Sequence, residues 1–587
     1  MVRAIGFDGP QHKDGSFFYL DSENSECYHY EAERYTRVKE GPSDCFERIT
    51  NLLPASLESD FICTPSHVTS INHPQVAIKN YLHEDIKLTD NGCLTNESKQ
   101  FVLNRKSPKC LKYAGEWINP LLFTKADLSQ IDPDKFHVVS HHLCHAAHGF
   151  FSTNVNDALV ITIDGGGIDL GNCGAITGNE TCPTWQIDGF CVWHFNKDKI
   201  SLLEKKSINE FNIGEAYNAC TSYILGSVNS EIGGNQCGTV MAMAAMYSPH
   251  VHLKLASRLI SHPNKNFILQ SLISAFGNKP SEDISYALAS SFQLATEKFI
   301  TRLISPYLSI SQNLVFSGGV ALNSVMLGKM AEILYQKNYK IFVPPIPYDA
   351  GLSIGAAQLT LSKYNLLSSK LRAKMKSPYL GKSYNYESIK SAINREDASI
   401  SVKQTDLETV CSLLTNQKII AIYAGSSESG RRALGNRSIL ADPRNPSIKD
   451  IINEKVKHRQ WYRPFAPVLL SKYVNEVFET ELYSPYMNLV GKFNSSYQNE
   501  YPGVIHLDGT GRLQTVSDDD IYAESMILKI LSIMDTQHNC KVLLNTSFND
   551  REPIVETPSD AISCFLRTNI DFLYFADFNV LVNKIQP

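Results

Sequence analysis

Four histidines fall within eight residues in His141-His142-Leu143-Cys144-His145-Ala146-Ala147-His148. His141 and His145 are four apart, so a helix would set both imidazoles on one face, where they can share an ion. Pairs at that spacing also arise by accident on solvated faces, but four histidines beside small alanines do not read as one. No Glu follows His141 in an HExxH arrangement, which argues against metallopeptidase chemistry. A third ligand should be a carboxylate from elsewhere, and Asp164 and Asp349, each in a glycine-adjacent segment, are the best candidates. Imidazole and carboxylate donors with open positions suit iron(II), zinc or manganese. A second set is cationic. Arginine forks match phosphate oxygens bidentately, so Arg432, Arg437, Arg459 and Arg512 converging on one cavity would form a polyanion site; the plainer alternative is a salt-bridged surface. Lys457-His458-Arg459 and the distant Ser547-Phe548-Asn549 add cations for phosphate and neutral donors for a small planar group.

These residues need elements to position them. Three β-branched runs end abruptly in glycine: Ala4-Ile5-Gly6-Phe7-Asp8-Gly9, Ala158-Leu159-Val160-Ile161-Thr162-Ile163-Asp164-Gly165-Gly166-Gly167, and Leu314-Val315-Phe316-Ser317-Gly318-Gly319. Each predicts a buried strand followed by a loop whose backbone can approach a ligand closely. Three such loops, separated by long helical stretches, are what two actin-like, ribonuclease-H-like lobes would supply for a nucleotide, with Asp164, Gly165, Gly166, Gly318, Gly319 and Asn323 as its contacts. Leu288, Phe292, Ala295, Phe299 and Leu303 mark a long amphipathic helix over 284–305. The rigid turn at Pro344-Pro345-Ile346-Pro347 sets Asp349 at the entrance of a helix over 352–364, where its plainer role is an N-cap. A basic, serine-containing linker near residue 370 divides the chain into halves, 1–370 and 371–587. The second half opens with a buried strand, 418–423, followed by an arginine- and glycine-dense stretch.

Bulk properties exclude several classes. The chain has 587 residues, with Lys+Arg 55 against Asp+Glu 60 and a formal charge of -5. That length suits two to four domains, and that balance offers no broad basic surface for nucleic acid. Fourteen cysteines lie scattered with no CxxC pair, against zinc ribbons and disulfide frameworks. With no apolar leader and no long apolar run, the expectation is a soluble cytoplasmic protein that uses no membrane, as monomer or homodimer.

The ordered set His141-His142-x-x-His145-Ala146, Ile163-Asp164-Gly165, Ser317 to Asn323, Arg432-Ala433-Leu434-Gly435-Asn436-Arg437-Ser438, Arg463-Pro464-Phe465-Ala466-Pro467 and Asn545-Thr546-Ser547-Phe548-Asn549 resembles the O-carbamoyltransferases of nodulation and antibiotic biosynthesis. The resemblance runs from the N-terminus to about residue 560. It implies an α/β protein, an actin-like domain similar to the threonylcarbamoyltransferases fused to a YrdC-like α+β domain. It implies that carbamoyl phosphate and ATP with Mg²⁺ yield carbamoyl-adenylate in the second half, and that the carbamoyl group then passes to a hydroxyl of a small-molecule acceptor in the first. On that resemblance His141, His145, Asp164 and Asp349 hold a divalent metal, iron(II) favoured over zinc or manganese. Lys457, Arg459, Ser547 and Asn549 match the signature of YrdC-like sites. His12 matches the histidine beside the acceptor hydroxyl, and Lys39 the lysine after a Glu-Arg pair. The chain departs from the family at Ser426, Arg431 and Thr239, where arginine, proline and lysine are expected. Residues 50–130, which match no pattern, are assigned to acceptor recognition. Two rival readings are a tRNA threonylcarbamoyl-type transferase and a catalytically weakened, nucleotide-binding regulatory protein.

Overall fold

Strands form where the β-branched runs stand, and most long helices start at a side chain able to cap them. The structure, a computed structural model, describes residues 3–8, 14–22, 26–37, 39, 61–65, 136–169, 175–177, 186–197, 199–226, 236–247, 250–396, 398–519 and 521–585. By its internal contacts the chain divides into two compact units. The first comprises Met1–Glu210, Val315–Val320 and Ile346–Lys376, and the second Phe211–Leu314, Ala321–Pro345 and Ser377–Pro587. Both mix strands and helices, so the chain is an α/β protein.

The first unit carries β1 (Arg3–Phe7), β2 (Ser16–Asp21), β3 (Glu26–Glu31), β4 (Phe61–Pro65), β5 (Phe136–Val139), β6 (Asp157–Asp169), β7 (Ala175–Thr177), β8 (Gln186–Asn196) and β9 (Lys199–Ser207). Among the described residues one sheet has the order β3-β2-β1-β4-β5-β7. Its first three strands are antiparallel, and β4 and β5 then run parallel to β1. In a second sheet β6 pairs antiparallel with β8, and β8 with β9. The other edge of β6 is taken by β10 (Asn313–Ser317), whose last three residues, Val315 to Ser317, belong to this unit.

Two helices of the first unit bring the site together. Helix His141–Phe151 is buried along its whole length, and helix Leu352–Lys363 packs against it. Small residues permit the approach: Ala146, Ala147, Ala356 and Ala357 are fully buried, and a Cβ on Gly355 would stand 2.0 Å from the Cys144 carbonyl oxygen. A backbone atom cannot swing aside as a side chain can. Gly355→Ala should therefore cost about 3 kcal/mol, read as a lower denaturant midpoint. The junction expected near residue 370 lies in a short helix, Ser369–Lys376, where Arg372 donates to the Thr153 carbonyl at 2.9 Å and Lys376 to Asn154 Oδ1 at 2.8 Å.

In the second unit helix Glu282–Ile304 realises the expected stripe, with Leu288, Phe292 and Ala295 buried and Ser281 capping Ile284 N. After β11 (Lys340–Phe342) come β12 (Ile400–Gln404), β13 (Ile420–Tyr423), β14 (Arg437–Ala441), β15 (Ala466–Leu470), β16 (Leu489–Lys492), β17 (Thr510–Val516), β18 (Val542–Ser547), β19 (Phe572–Phe575) and β20 (Val580–Lys584). Among the described residues the nine strands from β12 onward form a mixed sheet, β12-β20-β19-β13-β14-β18-β15-β17-β16. Its central strands are buried, and the loops leaving β13 and β18 carry the arginine-rich and Ser-x-Asn segments.

Candidate functional site

His141 and His145 share one face of their helix, with ring centroids 4.8 Å apart. The other two histidines serve the fold: His142 Nδ1 lies 2.9 Å from Thr162 Oγ1 and its Nε2 2.8 Å from the Asp188 carbonyl, while His148 packs beside Ser152. Asp164 reaches the pair through an unexpected element. β6 does not end at its glycines; it runs on to Asp169 through a bulge in which Asp164, Gly165 and Gly166 stand against Gly189 alone. A bulge re-aims a side chain, and this one turns the Asp164 carboxylate toward the histidines. Gly167 makes the room, since a Cβ there would sit 2.1 Å from His141 Cδ2.

Asp349 stands at a helix entrance as expected, but it is not the N-cap; Gly351 holds that position before helix Leu352–Lys363. Its neighbours are anchored on both sides, Tyr348 Oη donating to Glu31 Oε2 at 2.6 Å and His29 Nε2 lying 2.7 Å from the Ala350 carbonyl. His145 Nε2 is 2.9 Å from Asp164 Oδ2 and 3.3 Å from Asp349 Oδ1, and His141 Nε2 is 3.5 and 3.7 Å from the same two oxygens. One ligand-type atom from each of the four residues fits within 4.8 Å. Donors about 2.1 Å from a common ion at tetrahedral or octahedral angles lie roughly 3.0–3.4 Å apart, so the cluster fits a divalent metal in spacing and donor chemistry.

The electrostatics suit that set. Burial disfavours charge on His145, but hydrogen bonds to Asp164 and Asp349 overcome it and raise its pKa to about 9. Burial instead lowers His141, and also His142, to about 3 in the latter case. Asp164 is also buried, yet the two imidazoles hold its carboxyl well below the usual range. A short distance away Asp188 is raised to about 6, by burial first and with Asp169 adding like-charge repulsion. A carboxyl held above its unfolded value of 3.8 favours the folded state most at low pH, and that contribution is lost as pH rises through about 6. Asp188→Asn should accordingly raise the melting temperature more at pH 8 than at pH 5.

Gly165 is exposed, and its N–H meets Asp164 Oδ1 at 2.5 Å. Gly166 has φ +144° and Gly318 φ +90°; a Cβ on Gly318 would meet the Ile163 carbonyl at 2.2 Å, and one on Gly319 would lie 3.2 Å from Asp164 Oδ1. The second and third glycine loops thus meet at Asp164. Gly6 serves packing, facing the Ser353 carbonyl. Asn323, in the second unit, is occupied by the fold: Oδ1 caps Met326 N at 3.0 Å and its amide pairs with Gln293. Lys39 is exposed in a turn after helix Ala32–Thr36, and His12 lies outside the described residues, as does most of 50–130.

In the second unit three of the four expected arginines come together, and a different fourth joins them. Arg512 lies well below its ordinary value, first from burial and then because Arg432, Arg463 and Arg459 face it. Burial likewise lowers Arg459 and Arg463. All four retain partial solvent access. Arg512 Nε is buried with no hydrogen-bond partner among the described residues. Arg437 stands elsewhere: fully buried, 3.6 Å over the Tyr423 ring, it donates to the Ala424, Asn436 and Gly425 carbonyls. Glu428 folds this loop, accepting from the backbone N–H groups of Leu434, Asn436 and Arg437 at 2.7, 2.8 and 3.1 Å. Arg463 was visible in its Arg-Pro-Phe-Ala-Pro run, but only as one cation among several.

Lys457, Ser547 and Asn549 come together. Lys457 Nζ donates to Asn549 Oδ1 at 2.6 Å and to the Ser547 and Asn549 carbonyls at 2.5 and 2.9 Å, so it ties the end of β18 to the loop before Arg459. Of the departures, Thr239 is buried and donates to Gln236 Oε1 at 3.1 Å, and the Ser426 carbonyl accepts from Asn436 Nδ2 at 2.9 Å.

An α/β chain with a His/Asp cluster in one unit and a group of four neighbouring arginines in the other has the parts of a group-transfer enzyme. Comparison with known proteins gives the family. The family model for the carbamoyltransferase N-terminus matches residues 3–358, and that for the carbamoyltransferase C-terminus matches residues 411–583. The chain belongs to the carbamoyltransferase family and is a transferase. Nodulation protein NolNO of Sinorhizobium fredii is 28% identical over 534 residues, 86% of this chain and 73% of its own length. The uncharacterized protein sll1178 of Synechocystis sp. is 30% identical over 503 residues, 76% of each chain. A crystal structure of full-length HypF in its phosphate- and nucleotide-bound form is similar over 63% of this chain and 47% of that one, with 13% identity and a TM-score of 0.31. Among the described residues no helix is long and apolar enough to cross a membrane.

Proposed function

We propose that the chain is a cytoplasmic, ATP-dependent O-carbamoyltransferase whose halves, 1–370 and 371–587, are an actin-like and a YrdC-like domain dividing the reaction between them. The observation that carries this reading is the crowding of Arg432, Arg459, Arg463 and Arg512, since like charges pressed together in a cleft call for a polyanion. In the C-terminal half water releases phosphate from carbamoyl phosphate, and an oxygen of the resulting carbamate displaces pyrophosphate from the α-phosphorus of ATP. The arginines offset the phosphate charges, with Mg²⁺ accompanying ATP. Enclosure protects the carbamate and its adenylate from water.

In the N-terminal half the acceptor hydroxyl attacks the carbamoyl carbon, AMP leaves, and His12 takes the hydroxyl proton, with Lys39 beside the reacting groups. A divalent ion held by His141, His145, Asp164 and Asp349 would supply Lewis-acid polarisation there. The topology β3-β2-β1-β4-β5 supports an actin-like lobe. The test is ATP–pyrophosphate exchange by the purified protein. Exchange that depends on carbamoyl phosphate is expected; no exchange from folded, metal-loaded protein would overturn the reading in favour of a nucleotide-binding regulatory protein.

A further inference from the structure

Arg459 and Arg463 lie four residues apart on a loop that belongs to no helix or strand, between helix Ile448–Lys455 and β15. Both guanidinium groups act on Arg512 as like charges, and a loop without a ladder of its own has little to resist that repulsion with. Lys457 anchors the start of the loop to Ser547 and Asn549, and one side chain bonds the stretch that carries both arginines. Asn453, 1% exposed near the end of the helix, accepts from Arg459 Nε through Oδ1 at 2.7 Å. Its Nδ2 donates to the Trp461 carbonyl at 3.2 Å and to the Arg463 carbonyl at 3.0 Å. Its backbone carbonyl accepts from Arg459 N at 3.0 Å. Three residues of the loop, 459, 461 and 463, are therefore bonded to Asn453.

We infer that Asn453 is the positioning residue of the phosphate cleft, fixing the separation and aim of Arg459 and Arg463 before an anion arrives. This rests on the reading of the arginine cleft as a phosphate site. The role needs an amide of this length: it requires an acceptor for the guanidinium and a donor for two carbonyls on one short side chain. Aspartate keeps the shape but turns an oxygen toward two carbonyl oxygens and places a negative charge against Arg459. Preorganisation of this kind shows as affinity, because a loop already in place loses less freedom when the anion binds.

The probe is inorganic pyrophosphate, titrated calorimetrically into the full-length protein and into Asn453→Ala, Asn453→Asp, Arg459→Ala and the double variant Asn453→Ala with Arg459→Ala. Melting temperatures are recorded alongside. Both Asn453 variants should bind about tenfold or more weakly, the near-isosteric Asn453→Asp without loss of fold. In the Arg459→Ala background the effect of Asn453→Ala should shrink, because part of it acts through Arg459. Wild-type affinity in Asn453→Asp, or fully additive losses in the double variant, would overturn the inference. Wild-type affinity in Arg459→Ala would overturn the phosphate reading itself, and the inference with it.

Discussion

His145→Ala should reduce carbamoyl transfer to an acceptor about a thousandfold while leaving carbamoyl-phosphate-dependent ATP–pyrophosphate exchange near wild type. The reason is placement: His145 contacts both Asp164 and Asp349, so its loss opens the cluster at its centre. Metal content by elemental analysis should fall in the same variant, and chelation of the wild-type protein should reproduce the split between transfer and exchange. Loss of exchange in His145→Ala would show that the two chemistries are not divided as proposed. Metal loading should also carry a proton signature. Below about pH 9 the metal-free His145 holds a proton that an ion must displace, whereas His141 is already neutral at pH 7. Loading at pH 7 should thus release close to one proton, and apparent affinity should fall about tenfold per pH unit as pH drops below about 9.

Arg512→Gln should have opposite effects on stability and activity. Exchange should fall about a thousandfold, because three other arginines act on this side chain and an anion that offsets them would meet it. The ligand-free protein should become more stable, by roughly 1 kcal/mol for each like-charge neighbour relieved. Arg459→Ala should abolish exchange in the same way. Thermal unfolding without ligand and exchange rates on the same preparations check both signs. A destabilised Arg512→Gln that keeps its exchange activity would mean that Arg512 is a structural residue, as Arg437 is.

That contrast between Arg512 and Arg437 shows where sequence reading reaches its limit. Both are arginines near glycines, and nothing in either segment says which side chain enters the cleft. Arg437 is withdrawn because Glu428 folds the loop before it and the Tyr423 ring covers it; Arg463 takes the vacant place because Asn453 holds its loop. Asn323 likewise resembles a nucleotide contact in sequence, yet its amide is engaged by Gln293, thirty positions away. At Asp164 the glycine run reads as the end of a strand, and only pairing with β8 reveals a bulge.

What the sequence determined by itself was local: His141 and His145 on one helical face, Asp349 at a helix entrance, the buried strands, and the family. Spacing settles these because helical and extended backbones have fixed periods. The sequence also named Asp164 and Asp349 as candidate carboxylates; the bulge that turns Asp164 to the histidines, and which arginines meet, were decided by tertiary structure. Desolvation and like-charge repulsion depend on groups brought together from distant segments, and no period along the chain encodes that meeting.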